Sequence, residues 1–162
     1  MKLVFEKNAT AGLMLGMATF LLALPSHAQP SATSIAAPVI SESWIKTTVP
    51  GSAVSAAYMR IKSAIPFKLV KAESTAAGIV EIHDMKMNDG VMEMKALDAI
   101  DVPPNKAVEL KPGGMHVMLM NVKKPINKGD KIPMTLTFEG ANKKPVLVKL
   151  ELVARENATA HH

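Results

Sequence analysis

Two histidines and two methionines stand at spacings suited to holding one metal ion: His83, Met94, His116 and Met118. Ten residues separate His83 from Met94, twenty-one separate Met94 from His116, and Val117 alone lies between His116 and Met118. Imidazole nitrogen is a borderline donor and thioether sulfur a soft one, and the chain has no cysteine to compete with them. A neutral, polarisable thioether binds Cu(I) well and hard cations poorly, so this set implies copper handling. It also excludes one form of it. A blue-copper electron carrier needs a cysteine thiolate beside two histidines, which these residues cannot supply.

The elements that must position the four donors are legible. Asp89-Gly90 is a strong two-residue hairpin signal, because both positions of a type I′ turn need positive φ. Such a turn sets Asn88 opposite Val91, Lys86 opposite Glu93, Met85 opposite Met94 and Asp84 opposite Lys95. One face then carries two opposite-charge pairs, Asp84–Lys95 and Lys86–Glu93. The other carries His83, Met85, Met87, Met92 and Met94, with His83 diagonal to Met94 and within side-chain reach of it. A one-residue slip would lose both charge pairs, which supports the register. Downstream, alternation along Met115–Val122 sends His116, Met118 and Met120 to one face and Val117 and Leu119 to the other. Each half supplies two donors. Their convergence would make a four-coordinate His₂Met₂ centre.

The rest of the chain reads as short strands punctuated by turns. Strands are expected at Ser43–Val49, Ala53–Lys62, Lys68–Glu73, Ile79–Met87, Val91–Asp98, Ala107–Leu110, Met115–Val122, Ile132–Glu139 and Val146–Val153. Breaks fall at Pro50-Gly51, Asp89-Gly90, Pro103-Pro104, Pro112-Gly113-Gly114, Lys128-Gly129-Asp130 and Gly140-Ala141-Asn142. No window sustains a helical period, and prolines interrupt most candidates. The fold class is therefore all-β, a β-sandwich or small barrel.

Methionine is more often core filler than ligand, and Met59 and Met134 are read that way. However, seven of the nine methionines after residue 28 lie between positions 85 and 120, beside the two histidines of the folding region. For Met85, Met87, Met92, Met115 and Met120, packing slightly outweighs function. Met85 and Met120 are the best candidates for an outer shell or a transfer route.

The amino terminus points to export. Lys2 and Lys7 accompany an apolar run from Ala11 to Leu24, and Ser26-His27-Ala28 offers small residues for cleavage. The expected organisation is a signal peptide over 1–28, a flexible Ala/Ser/Pro-rich leader over 29–39, a copper-binding domain over 40–153 and a loose tail over 154–162. No later stretch is long and apolar enough to span a bilayer, so no membrane span is expected after cleavage. Setting aside Lys2, Lys7 and Glu6 leaves 17 basic and 13 acidic side chains, a net +4. The lysines are scattered, and with one Trp and one Tyr there is no stacking platform, so nucleic acid is not an expected partner. Zero cysteines also means no disulfide in an exported chain. His161-His162 could form a weak second site for Cu(II), or simply end a disordered tail or belong to a tag.

The spacing His83, ten residues, Met94, twenty-one residues, His116-x-Met118 resembles the motif of the periplasmic copper chaperone family called PCuAC. The neighbouring text is similar too: Val80-Glu81-Ile82-His83, Gly90-Val91-Met92-Glu93-Met94 and Glu109-Leu110-Lys111-Pro112-Gly113-Gly114. So are Trp44, Pro50-Gly51 and Ala57-Tyr58-Met59 upstream, and Gly129-Asp130 with Pro133-Met134-Thr135-Leu136-Thr137-Phe138 downstream. The likeness covers about Ile40 to Val153. It implies a cupredoxin-like β-barrel that binds Cu(I) through His83, Met94, His116 and Met118. It also implies delivery in the periplasm toward the copper centre of cytochrome c oxidase, alongside the oxidase subunit itself or a thioredoxin-like assembly factor. Many members place a methionine directly after the first histidine; Asp84 stands there instead, followed by Met85. The runner-up reading is a copper buffering or resistance protein without a dedicated acceptor. An enzyme is not expected, since no convergent acid–base group accompanies the motif.

Overall fold

Period-two alternation of apolar and polar residues, the mark of half-buried strands, runs through most of the chain. The computed structural model describes residues 37–156, and over these it has ten strands and no helix. They are β1 (Val39–Lys46), β2 (Val54–Lys62), β3 (Phe67–Glu73), β4 (Ala77–Asn88), β5 (Val91–Ala96), β6 (Ile100–Val102), β7 (Val108–Leu110), β8 (His116–Val122), β9 (Lys131–Gly140) and β10 (Pro145–Arg155). Along β9 the alternation buries Met134, Leu136 and Phe138; along β2 it buries Ala57, Met59 and Ile61. Met59 and Met134 are thus core residues, as their isolation in the sequence suggests.

The strands form one continuous ladder in the order β5-β4-β8-β2-β1-β10-β9-β3-β6, with β7 paired to β2. Residues from both arms of that ladder share one hydrophobic core: Ile82, Val117, Leu119, Ala57 and Ile45 with Leu69, Met134, Leu136, Phe138 and Leu152. The sheet therefore folds over on itself, and its two halves face each other across the apolar layer. The all-β, cupredoxin-like sandwich expected from the sequence is the architecture found. A parallel pairing of β1 with β10 joins the halves.

Most strand ends shift by one to four residues from the sequence reading, the first strand ending at Lys46 rather than Val49, and three differences bear on the pairing. A tenth strand, β6, forms at Ile100–Val102, where no strand was expected. It is three residues long, too short to show a pattern, yet pairing with β3 buries Ile100 and Val102. The first strand starts at Val39, the last residue assigned to the leader, because Val39 and Ile40 pair with Lys62 and Ile61. A register shift between Ser41 and Trp44, with Glu42 at φ 52°, then re-aims the strand. The last strand runs to Arg155, two residues into the expected tail. Ala154 and Arg155 pair with Ile45 and Lys46, and Ala154 is buried. The expected signal peptide, most of the leader and His161-His162 lie outside the described residues.

Candidate metal centre

The hairpin register follows from turn chemistry. Asp89 and Gly90 adopt φ of 48° and 79°, and β4 and β5 pair as His83↔Ala96, Asp84↔Lys95, Met85↔Met94, Lys86↔Glu93, Met87↔Met92 and Asn88↔Val91. The expected cross-strand ion pairs are not what holds it. Lys86 Nζ instead lies 3.2 Å from Asp84 Oδ2 on its own strand. Exposed ion pairs contribute little, so backbone and turn decide the register.

The second half arrives from the other side of β4. That strand pairs antiparallel with β8, and His83 is the direct partner of His116, as Glu81 is of Met118. His83 and Met94 stay on one hairpin, while Met118 sits two residues beyond His116 on the same face. All four predicted donors therefore share the sheet face opposite Ile82, Val117 and Leu119. Met94, Met118, His116 and Met85 line one cleft of about 260 Å³, together with Thr47, Val49 and Tyr58. His83 is not among the residues lining it; its ring centroid stands 5.8 Å from that of His116, with the planes at 65°.

Both imidazoles are buried, His83 at 9% exposure and His116 at 3%. Each is held by one nitrogen. His116 Nδ1 donates to the Gly114 carbonyl at 2.9 Å, which leaves Nε2 as the lone-pair nitrogen of the neutral ring. His83 Nε2 lies 2.8 Å from Glu81 Oε2. An acceptor-only carboxylate assigns the proton to Nε2 and the lone pair to Nδ1. That Nδ1 is buried and has no hydrogen-bond partner. An orphaned buried polar atom costs about 1–3 kcal/mol, which a metal ion would offset. Histidine ligands commonly use their second nitrogen to bind a carboxylate or carbonyl, and both rings here do so.

Among the described residues no group of three or more His, Asp or Glu side chains is placed to hold a metal ion. The cleft supplies three thioethers, Met85, Met94 and Met118.

Four neighbours were not singled out as functional from the sequence. Glu81 orients His83 and could have been found from its i, i+2 position on the same strand face. The Gly114 carbonyl, which holds His116, belongs to a turn that reads only as punctuation. Trp44 and Tyr58 stack at 4.6 Å between ring centroids, and Tyr58 stands 6.4 Å from His116. Four rings thus cross four neighbouring strands in a row, from Trp44 to His83. Burial pushes the Tyr58 phenol above its ordinary pKa of 10.0.

Residues 39–150 match the family model LpqE-like, described as "Putative lipoprotein LpqE-like". The protein "Putative lipoprotein Lxx21020" of Leifsonia xyli subsp. xyli is 31% identical over 154 residues, covering 91% of this chain and 90% of its own. Among solved structures, the copper-bound PCuAC domain from PmoF2 superposes with a TM-score of 0.61 at 25% identity, over 76% of this chain and 96% of that domain. The solution structure of apo-DR1885 from Deinococcus radiodurans reaches 0.57 at 22% identity over 92% of this chain and 98% of its own, a likeness that bears on the fold alone. With the model matched across most of the sandwich and a relative matched across nine-tenths of both chains, this chain belongs to the LpqE-like family and has the fold of a PCuAC domain.

Proposed function

We propose that the protein is an exported copper chaperone that carries Cu(I) on His83, Met94, His116 and Met118. The observation that carries this reading is the pairing of His83 with His116. Each ring is anchored through one nitrogen, and one of the free nitrogens is a buried orphan, beside a cleft lined by thioether sulfur. A d¹⁰ ion accepts a four-coordinate site of two nitrogens and two sulfurs without geometric penalty, and Zn²⁺ prefers thiolate, imidazole or carboxylate. The copper-bound state of the similar PmoF2 domain supports the same cargo here.

The mechanism is ligand exchange. Glu81 and the Gly114 carbonyl keep the two rings aimed while an acceptor's ligands replace the thioethers one at a time. Copper then never passes free into solution. Thioethers remain neutral and resist the oxidation that would disable a thiolate in an oxidising compartment. The expected destination is the copper centre of cytochrome c oxidase, reached directly or through a thioredoxin-like assembly factor. A signal cleaved after Ala28 would deliver the protein to the periplasm, with a mature chain from Gln29. The lipoprotein names of its relatives are consistent with export. The 162 residues contain no cysteine that could carry a thioether-linked lipid.

The test is anaerobic Cu(I) titration against a competing chelator, beside a Met94→Ala, Met118→Ala double variant. Tight one-to-one binding lost in the variant supports the centre; unchanged binding refutes it. A transfer assay to an apo oxidase copper domain then separates a chaperone from a buffer that keeps its ion.

A further inference from the structure

The hairpin that reaches the centre continues past it. One rung beyond Met85 and Met94, Met87 stands directly opposite Met92 on the same face, next to the Asp89-Gly90 turn. Both are largely exposed, at 66% and 61%. The packing role favoured for them by the sequence is therefore not theirs: neither belongs to the hydrophobic core, where Met59 and Met134 are 2% exposed. Every residue of β5 is exposed, and β5 is an edge strand paired only with β4. The opposite face of the hairpin carries Asp84, Lys86, Glu93 and Lys95. Methionine is a poor choice for such a ribbon on structural grounds. A β-branched or charged residue would favour the strand and guard the edge without exposing apolar surface. Four methionines on consecutive same-face rungs share one chemical property, the thioether.

We propose that Met87 and Met92 form a second, solvent-facing Cu(I) site, a landing pair that passes the ion through Met85 and Met94 to the histidines. The inference rests on the copper reading of the inner centre and extends it to a route. Directly opposed residues bring their Cβ atoms to about 4.5–5.5 Å, from which two flexible thioethers can close on one ion. The next rung lies two residues along the strand, about 6.6–6.8 Å away. In each exchange a bond to the incoming sulfur forms as a bond to the outgoing sulfur breaks. All the donors on the ribbon are neutral, so the complex keeps the single positive charge of Cu(I), releases no proton and involves no redox step. Two thioethers hold copper less strongly than two thioethers with two imidazoles, so loading runs inward. An acceptor with stronger ligands docked at the tip draws the ion outward along the same rungs.

The experiment uses the protein with methionine ¹³C-labelled at its methyl groups, titrated anaerobically with Cu(I) supplied as its acetonitrile complex. The first equivalent is expected to shift the Met94 and Met118 methyls and the second to shift Met87 and Met92. A Met87→Leu, Met92→Leu variant preserves volume at a place outside the core, so its thermal midpoint should match the native protein. Its first-equivalent affinity stays within about twofold, its second equivalent is lost, and release to a Cu(I) chelator slows by about tenfold. A second equivalent that leaves the Met87 and Met92 methyls unmoved, or a native release rate in the variant, overturns the landing site alone. A first equivalent that leaves Met94 and Met118 unmoved overturns the inner centre and the route with it.

Discussion

One face of the sheet has two ends, and they are built differently. At the nitrogen end, His83 and His116 sit between β5 and β2 in the ladder, are almost fully buried, and are each fixed by a hydrogen bond from one ring nitrogen. At the sulfur end, Met94 is 47% exposed on an edge strand that buries none of its six residues. A ligand that exchanges must be reachable, and a ligand that defines the site must not wander. In the proposed centre the division gives the first duty to Met94 and the second to the imidazoles, with Met118 half-buried beside His116 on β8. Methionine elsewhere in the same chain makes the contrast sharper. Met59 and Met134 fill the core, so residue type alone does not decide the role; the face and rung do.

Substitution at the nitrogen end should have the largest effect. His116→Ala removes the buried ring proposed as a ligand and leaves the Gly114 carbonyl without its donor. Cu(I) affinity, read by chelator competition, is expected to fall by more than about 100-fold, beyond the usual effect of an outer-sphere change. Survival of native affinity would dissolve the distinction between the two ends. Glu81→Ala comes next. It leaves the proposed ligands His83, His116 and Met118 of β4 and β8 in place but frees His83 Nε2, and a loss of about 10–100-fold is expected. Glu81→Gln, which can still accept from Nε2, should recover part of that loss; a purely structural role for Glu81 would show instead as a changed thermal midpoint without a change in affinity. At the sulfur end, Met94→Leu should weaken copper binding yet shift folding stability by no more than about 0.5 kcal/mol, the range for exposed positions. A larger loss on denaturant unfolding would mean that Met94 packs rather than waits.

The two ends were also unequally legible in the sequence. The hairpin could be read rung by rung because Asp89-Gly90 specifies a turn, and a turn specifies the register of everything before and after it. Met85 opposite Met94 and His83 diagonal to it follow from that alone. The meeting of His83 with His116 does not. Thirty-two residues and three strands intervene, and no local turn sets how β4 lies against β8. Only the shared spacing, and the family likeness it carries, pointed to convergence. The exposure of Met87 and Met92 was hidden for a different reason. A period-two pattern marks which residues share a face but not where that face leaves the body of the sandwich and meets water. Short β6 and the last two residues of β10 escaped because their pairing partners lie far away in sequence: Phe67 and Leu69 for β6, Ile45 and Lys46 for β10. The ion pairs inferred across the hairpin failed because Lys86, on a flexible exposed side chain, reaches Asp84 on its own strand, and an exposed pair of this kind contributes too little to be fixed by register.

The smallest effect expected lies at the border between the buried rings and the cleft. Tyr58 stacks on Trp44 and lines the cleft beside His116, and desolvation raises its pKa above 10.0. A phenol whose pKa is higher in the folded than in the unfolded chain binds its proton more tightly when folded. The associated stability is fully present below about pH 10 and is lost as pH rises through the folded value, because only the unfolded chain then sheds its proton freely. Tyr58→Phe keeps the ring and its stacking on Trp44 while removing the titration. Denaturant midpoints followed by Trp44 emission, the chain having one tryptophan, should fall more steeply between pH 9 and pH 11 in the native protein than in Tyr58→Phe. Equal slopes would mean that water reaches the phenol and that the wall of the cleft at Tyr58 is as open as the thioether hairpin, removing the boundary on which the contrast between the two ends depends.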